Sequence, residues 1–370
     1  MKSRPDLDFL VAGGARYGLG HIMRSGTLAA SARRRGWRVR AFLAGDRVAL
    51  ERWRASCPDS EVLAWSAWRA RESAPLTVFD HPFAKSRWLE ACRRDRTRTI
   101  VLDDSRAIGR ARLTIQPALH HLAEADDESG GDLPEDDPAT LVLRGPRYAL
   151  LGSAHLDTPH RPQVEREALL LSIGGADPHA VTPRIAPLLA EVLDRSAAPT
   201  PITTRRVILG PAFPDPDRRI ASELAAAGWE VERALEPAAM ARRMAEARIA
   251  VMGFGTSLCE LAWHETPHLS VTHHDHDVTW AKTLEERGIG RFLGRAAALD
   301  PERVKTRFAG ALADPDWQRT SAQRALAAID GGRGCDHILD RLALVAREIP
   351  LSRPASGLRR QTGRSGSPLA

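Results

Sequence analysis

The stretch DFLVAGGARYGLGHIMR, Asp8 to Arg24, decides the fold. Its first half, through Gly14, is apolar and reads as a buried strand. Glycines at 13, 14, 18 and 20 then turn the backbone tightly and let a ligand approach the main chain. From His21 onward the pattern becomes helical. A strand, a Gly-rich turn and a helix in this order open a βαβ unit, whose ligands gather at the carboxyl edge of the sheet. His21 falls at or near the helix start, where it is either a general base or a packing residue. Arg24 follows about one turn later on the same face, placed to meet an anionic group. No Gly-Lys-Ser/Thr follows, so this is not a P-loop, and the dinucleotide fingerprint fits poorly.

The same rhythm continues outward. Strand candidates follow at Arg38–Gly45, Leu76–Asp80, Thr99–Asp104 and Arg112–Gln116. An acidic stretch without periodicity, 124–138, reads as a solvated insertion. After a polar segment that ends at Glu167 the rhythm restarts, with candidates Ala168–Gly175, Arg205–Gly210, Glu230–Arg233, Ile249–Gly253 and His268–Thr272. The expected fold is therefore α/β: two doubly wound, Rossmann-type domains facing a central cleft. Residues 1–152 form one unit and 168–348 the other, with 349–370 a disordered basic tail.

Two further turns repeat the first one. SIGGADP, Ser172 to Pro178, opens the second unit and offers Gly174, Gly175 and Asp177. GFGTSLCE, Gly253 to Glu260, follows a strand. Gly255, Thr256 and Ser257 would open a helix with free N–H groups that cradle phosphate oxygens, and Glu260 would accept from a pair of ribose hydroxyls. The competing reading is a capping box closed by Glu260. The run His273-His274-Asp275-His276-Asp277 looks metal-binding, but adjacent ligands point to different faces, so a loop beside the cleft is expected and no metal. The pair Asp103-Asp104 ends a strand as a turn or a contact to ligand hydroxyls, with Asp104 taken as the site residue.

Composition removes other classes. The chain has 370 residues, 43% of them hydrophobic, enough for large cores. No apolar run reaches the length of a membrane span, and the N-terminus lacks a signal-peptide pattern, so a cytoplasmic protein is expected. The net charge is +6, but Arg353, Arg359, Arg360 and Arg364 supply +4 of it in the last twenty residues. The body is nearly neutral, which argues against nucleic acid as a partner. Cys57, Cys92, Cys259 and Cys335 form no CxxC pair and read as reduced thiols.

Taken in order, GLGHIMRS (Gly18–Ser25), FDH (Phe79–His81), VLDD (Val101–Asp104), GPRYALL (Gly145–Leu151), SIGGADP and GFGTSLCELAWHETPHLSV (Gly253–Val271) resemble one group. It comprises the PseG-type UDP-sugar hydrolases of pseudaminic acid biosynthesis and the SpsG-type predicted glycosyltransferases, similar to MurG-like enzymes of GT-B fold. The resemblance spans about residues 8–345. It implies that His21 activates a nucleophile against the anomeric carbon of a UDP-sugar, within a site that includes Gly18, Gly20 and Arg24. It also implies that Gly255, Thr256, Ser257 and Glu260 bind UDP, and that no cofactor is needed. His276-Asp277 stands where the group has Asn-Gln, Pro82 where it has Tyr, and Gly152 where it has Arg. The nucleotide half is thus kept better than the sugar half. Three activities stay open: hydrolase, glycosyltransferase, or silent nucleotide-sugar binder.

Overall fold

Strand β1 (Asp6–Ala12) is buried at every position after Asp6. Leu7, Phe9 and Val11 enter the core on one side of a sheet. Leu10 enters another on the opposite side, with Phe42, Trp68, Phe79 and Trp88. A strand covered on both faces belongs inside a parallel sheet between helices. The structure, a computed structural model, describes residues 6–69, 74–81, 85–122, 140–196 and 202–348. The acidic insertion, Pro82 and the basic tail lie outside the described residues.

The first sheet has seven parallel strands in the order β3-β2-β1-β4-β5-β6-β7. They are β2 (Arg38–Ala44), β3 (Glu61–Ala64), β4 (Leu76–Asp80), β5 (Thr99–Leu102), β6 (Leu113–Gln116) and β7 (Leu141–Arg144), beside β1. Leu10 sits opposite Phe42 and Phe79, which fixes the register about the apolar centre. The second sheet has six strands in the order β10-β9-β8-β11-β12-β13. These are β8 (Ala168–Ser172), β9 (Thr204–Leu209), β10 (Glu230–Arg233), β11 (Ala247–Gly253), β12 (His268–Thr272) and β13 (Arg291–Arg295). Leu169, Leu171, Ile249 and Val251 pack on one side, Leu170, Ala250 and Met252 on the other. Both sheets reverse direction beside their first strand, the switch point at which open α/β sheets bind ligands. The expected pair of doubly wound units is present.

Strands β3, β7 and β13 are absent from the sequence reading, and all three are sheet edges. Edge strands face solvent, so the apolar signature is weak: Glu61 and Ala64 are exposed, and Arg291 and Arg295 bracket β13.

The last helix, Gly334–Glu348, departs from the simple division at 168–348. Its Ile338, Leu339, Leu342 and Val345 join Leu28, Ala29 and Ala32 in the first core. The chain therefore returns to the unit in which it began. Gly334 permits this return, because a Cβ there would lie 2.1 Å from the Ala149 carbonyl oxygen. Among the described residues no helix is long and apolar enough to cross a membrane.

Gly210, at the end of β9, supports the second unit's first turn. A Cβ on it would lie 2.4 Å from the Gly174 carbonyl oxygen and 2.3 Å from that of Gly175. Backbone cannot swing aside as a side chain does. Gly210→Ala is expected to lower stability by about 1–3 kcal/mol, the usual cost of overpacking, as read by denaturant unfolding, and to weaken any ligand bound at Gly174–Gly175. Unchanged stability and binding would show that this turn yields freely.

Candidate functional site

Segments that follow the carboxyl ends of β1, β8, β9, β11 and β12 line one cleft of about 640 Å³. That lies within the range of small-molecule sites, roughly 300–1,000 Å³. Gly18, Gly20, His21 and Arg24 lie on its first wall; Gly174, Gly175, Asp177, Gly255, Thr256, Ser257, Glu260, His276 and Asp277 lie on its second.

On the first wall Gly14 and Gly18 adopt φ of +101° and +75° and close the turn by a 2.9 Å bond from the Gly14 N–H to the Gly18 carbonyl. The helix Gly20–Arg34 then begins with no side-chain cap. His21 and Arg24, one turn apart, converge on Asp80 at the end of β4. Asp80 is fully buried and accepts from Arg24 Nε at 2.9 Å, from the second guanidinium nitrogen at 2.6 Å, and from Ser25 Oγ at 2.7 Å. His21 Nδ1 lies 2.7 Å from Asp80 Oδ1. A carboxylate only accepts, so the imidazole proton belongs on Nδ1 and the lone pair on Nε2. The 2.9 Å approach of Arg24 to the same Nδ1 then reflects their shared acceptor. This leaves His21 oriented as a base.

Arg24 also donates to Asp103. Burial works against its charge, but Asp80 and Asp103 outweigh burial and hold the guanidinium above its ordinary value. Burial likewise pushes Asp80 up, yet Arg24 and His21 prevail and hold it at about 2. Asp103 is driven low by Arg24 against the same burial cost. Of the pair Asp103-Asp104, Asp103 takes this place rather than Asp104, the residue chosen from sequence. Asp104 instead holds Arg106 at 2.7 and 2.8 Å and stays outside the cleft. Asp103 has φ +59°, which breaks strand alternation and reverses which acid faces the site.

On the second wall the helix Ser257–Trp263 also starts without a side-chain cap. The Glu260 carboxylate accepts no backbone hydrogen bond among the described residues, so the capping-box alternative is not realised. Its described partner is His155, whose Nε2 lies 3.5 Å away. Gly255 has open space where a Cβ would stand. Asp177 lines the cleft but spends both oxygens capping the helix Val181–Asp194, through Val181 N–H at 2.8 Å and Thr182 N–H at 2.7 Å. Its role is to shape the turn.

The two walls are close. A Cβ on Gly20 would lie 3.9 Å from Thr256 Oγ1, and one on Gly175 would touch Leu19 at 3.2 Å. Arg52 of the first unit donates to the Ala234 carbonyl at 2.8 Å and to Glu236 at 3.1 Å in the second. His120 stacks on Trp280 with ring centroids 4.2 Å apart, and burial pushes it down to about 3.

The histidine run pairs ring with ring: His274 on His276 at 5.3 Å, and His273 on His179 at 5.4 Å. His276 Nε2 lies 3.3 Å from Asp277, whose carboxyl burial pushes upward against His276 and His274. A triad within reach of one ion lies elsewhere, at Asp103, His120 and His121. Arg24 already places a fixed cation on Asp103, so the chemistry of this set suits a guanidinium. Asp80, His120 and His155 hold or border the cleft residues, and the sequence reading names none of them as a site residue. The one available signal was Asp80, an acid closing the strand next to the switch point.

No known family profile matches the chain, and no curated protein matches it. Solved structures do. A UDP co-structure of MnaA from S. aureus is 11% identical, with TM-score 0.63, covering 93% of this chain and 98% of that one. UDP-GlcNAc 2-epimerase from Neisseria meningitidis bound to UDP-GlcNAc is 9% identical, with TM-score 0.60 and coverage of 92% and 100%. MurG from Acinetobacter baumannii is 14% identical, with TM-score 0.54 and coverage of 92% and 100%.

Asp80 gives this site a pH signature. A carboxylate held near 2 contributes fully above the ordinary value of 3.8 and loses that contribution as pH falls through 2. Asp80→Asn, which leaves Arg24 short of a buried partner, is expected to cost about 3–5 kcal/mol at neutral pH. It should also flatten the loss of stability between those two pH values, as followed by urea unfolding. An Asp80→Asn protein with parental stability and parental acid sensitivity would contradict this assignment. Two doubly wound parallel sheets, with thirteen strands among the described residues and a cleft at their carboxyl ends, give this chain the GT-B fold.

Proposed function

We propose that this chain is a nucleotide-sugar enzyme that breaks the anomeric C–O bond of a UDP-linked amino or deoxy sugar and releases UDP, with water as the nucleophile. The observation that carries the reading is the His21–Asp80 contact at 2.7 Å on one wall, opposite the uncapped Gly255–Ser257 turn and Glu260 on the other. His21 Nε2 takes a proton from water as the oxygen bonds to the anomeric carbon. The bond from that carbon to the β-phosphate oxygen breaks, and its electron pair leaves with UDP. Free N–H groups at Gly255–Ser257 meet the charge that develops on the phosphate. Glu260 accepts from the ribose hydroxyls. Asp80 keeps the proton of His21 on Nδ1, so Nε2 is ready to accept. Gly18 and Gly20 let the substrate approach the main chain, and His276 and Asp277 border the site.

The glycosyltransferase reading uses the same residues with an acceptor hydroxyl in place of water. Gly152, which stands where the PseG-type group carries Arg, favours instead the silent binder, because it brings no side chain to the site. A screen of UDP-sugars for UDP release, with and without acceptors, separates the two. UDP release only with an acceptor would select transfer. A UDP-sugar returned with an inverted centre and no UDP release would reject both. Tight UDP binding with no turnover would leave a silent binder.

His21→Asn is expected to retain UDP binding, because the nucleotide rests mainly on the second wall. Turnover should fall by roughly 10²–10⁴-fold, the contribution of a positioned base. The ascending limb of the parental pH–rate profile should vanish in the variant. A folded variant with near-parental turnover would remove the base assignment. Glu260→Ala should weaken UDP binding about ten- to a hundred-fold, the scale of a charge-assisted hydrogen bond. Calorimetry showing parental affinity would release Glu260 from the ribose role.

A further inference from the structure

We propose that His155 is a positioning residue that fixes the Glu260 carboxylate for ribose, with its own tautomer set by His264. The inference rests on the ribose reading of Glu260. His155 belongs to the short helix Ser153–Leu156, in the segment that crosses from the first sheet to the second. It is 4% exposed yet borders the cleft. Its carbonyl accepts from Trp263 Nε1 at 2.8 Å, which ties it to the helix that bears Glu260.

Three side chains form a line. His155 Nε2 lies 3.5 Å from Glu260 Oε1, and its Nδ1 lies 3.2 Å from His264 Nε2. His264 has no exposed surface, and burial, followed by the neighbouring His155 and His160, pushes it down to about 3. It is therefore neutral at working pH and carries one N–H. His264 Nδ1 meets no hydrogen-bond partner among the described residues. A proton there would be a buried, unpaired donor, which is costlier than a bare lone pair. The proton thus belongs on Nε2, donated to Nδ1 of His155. Accepting at Nδ1, a neutral His155 carries its own proton on Nε2, toward Glu260. A carboxylate has room for several donors. With Oε1 steered by His155, Oε2 is left for the sugar hydroxyls. The 3.5 Å contact is longer than a formed hydrogen bond, and contacts of this kind shorten when ligand arrives.

A buried histidine pair that only packs would not control ribose selectivity. The test is the ratio of UDP to 2′-deoxy-UDP affinity, measured by calorimetry in the parent, Glu260→Gln, His155→Leu and His155→Gln. The parent should prefer UDP by about tenfold or more, the scale of one charge-assisted bond. Glu260→Gln and His155→Leu should lose most of that preference, while His155→Gln, whose amide nitrogen replaces Nε2–H, should keep it. A lost preference in Glu260→Gln with parental preference in folded His155→Leu overturns this inference alone. Parental preference in Glu260→Gln overturns the ribose reading and this inference with it. A second measurement needs no substitution: ¹⁵N-histidine NMR of the parent should find the proton of His155 on Nε2. A proton on Nδ1 overturns the relay.

Discussion

Arg24 holds a full positive charge with only 7% of its side chain exposed, between the carboxylates of Asp80 and Asp103. Burying an unpaired guanidinium is prohibitive, so the three groups must assemble together or not at all. They come from the first helix and from the ends of β4 and β5, and their union fixes three neighbouring segments at the carboxyl edge of one sheet. His21 inherits its orientation from the same carboxylate. The stability of the first unit and the chemistry of the cleft thus share one electrostatic knot.

The second unit meets the wall that holds this knot through named contacts at the cleft. Leu19 touches the Gly174–Gly175 turn, Arg52 bonds the strand-end carbonyl of Ala234, and His120 stacks on Trp280. The helix Gly334–Glu348 carries the chain from the second unit back into the first core. The units also share an apolar seam, in which Leu119, Ala149 and Leu151 of the first pack with Leu170, Met252 and Leu258 of the second, so their relative placement is held by buried surface as well as by polar contacts. The cleft histidines bear on this, because His120 is kept neutral by its burial and so packs as an aromatic ring.

Central strands were legible in the sequence because burial on both faces writes unbroken apolar runs, as at Phe9–Ala12 and Ala168–Leu171. The edges β3 and β13 were not, since exposed Glu61 and Ala64 and the bracketing Arg291 and Arg295 dilute that pattern. The Gly-rich turns announced themselves, and Gly18, His21, Gly174 and Glu260 do border one cleft. Partners distant in sequence were harder to see. Asp80 is 59 residues from His21, and His155 is 109 from His264, separations that local spacing does not encode. Asp103 and Asp104 differ only by a left-handed backbone turn that no propensity distinguishes. Asp177 shows the converse. Its place at a Gly-rich turn suggests a ligand contact, yet helix N–H groups claim both its oxygens first.

The central claim is that one ligand spans both walls, with the leaving diphosphate at Gly255–Ser257 and His21 facing the bond that breaks. A crystal structure of the protein soaked with UDP tests it most directly. The account predicts ribose hydroxyls on Glu260, the β-phosphate at the N–H groups of Gly255–Ser257, and open space between that phosphate and His21 Nε2 for a sugar. UDP bound outside this cleft, or bound with its β-phosphate turned away from His21, would contradict it.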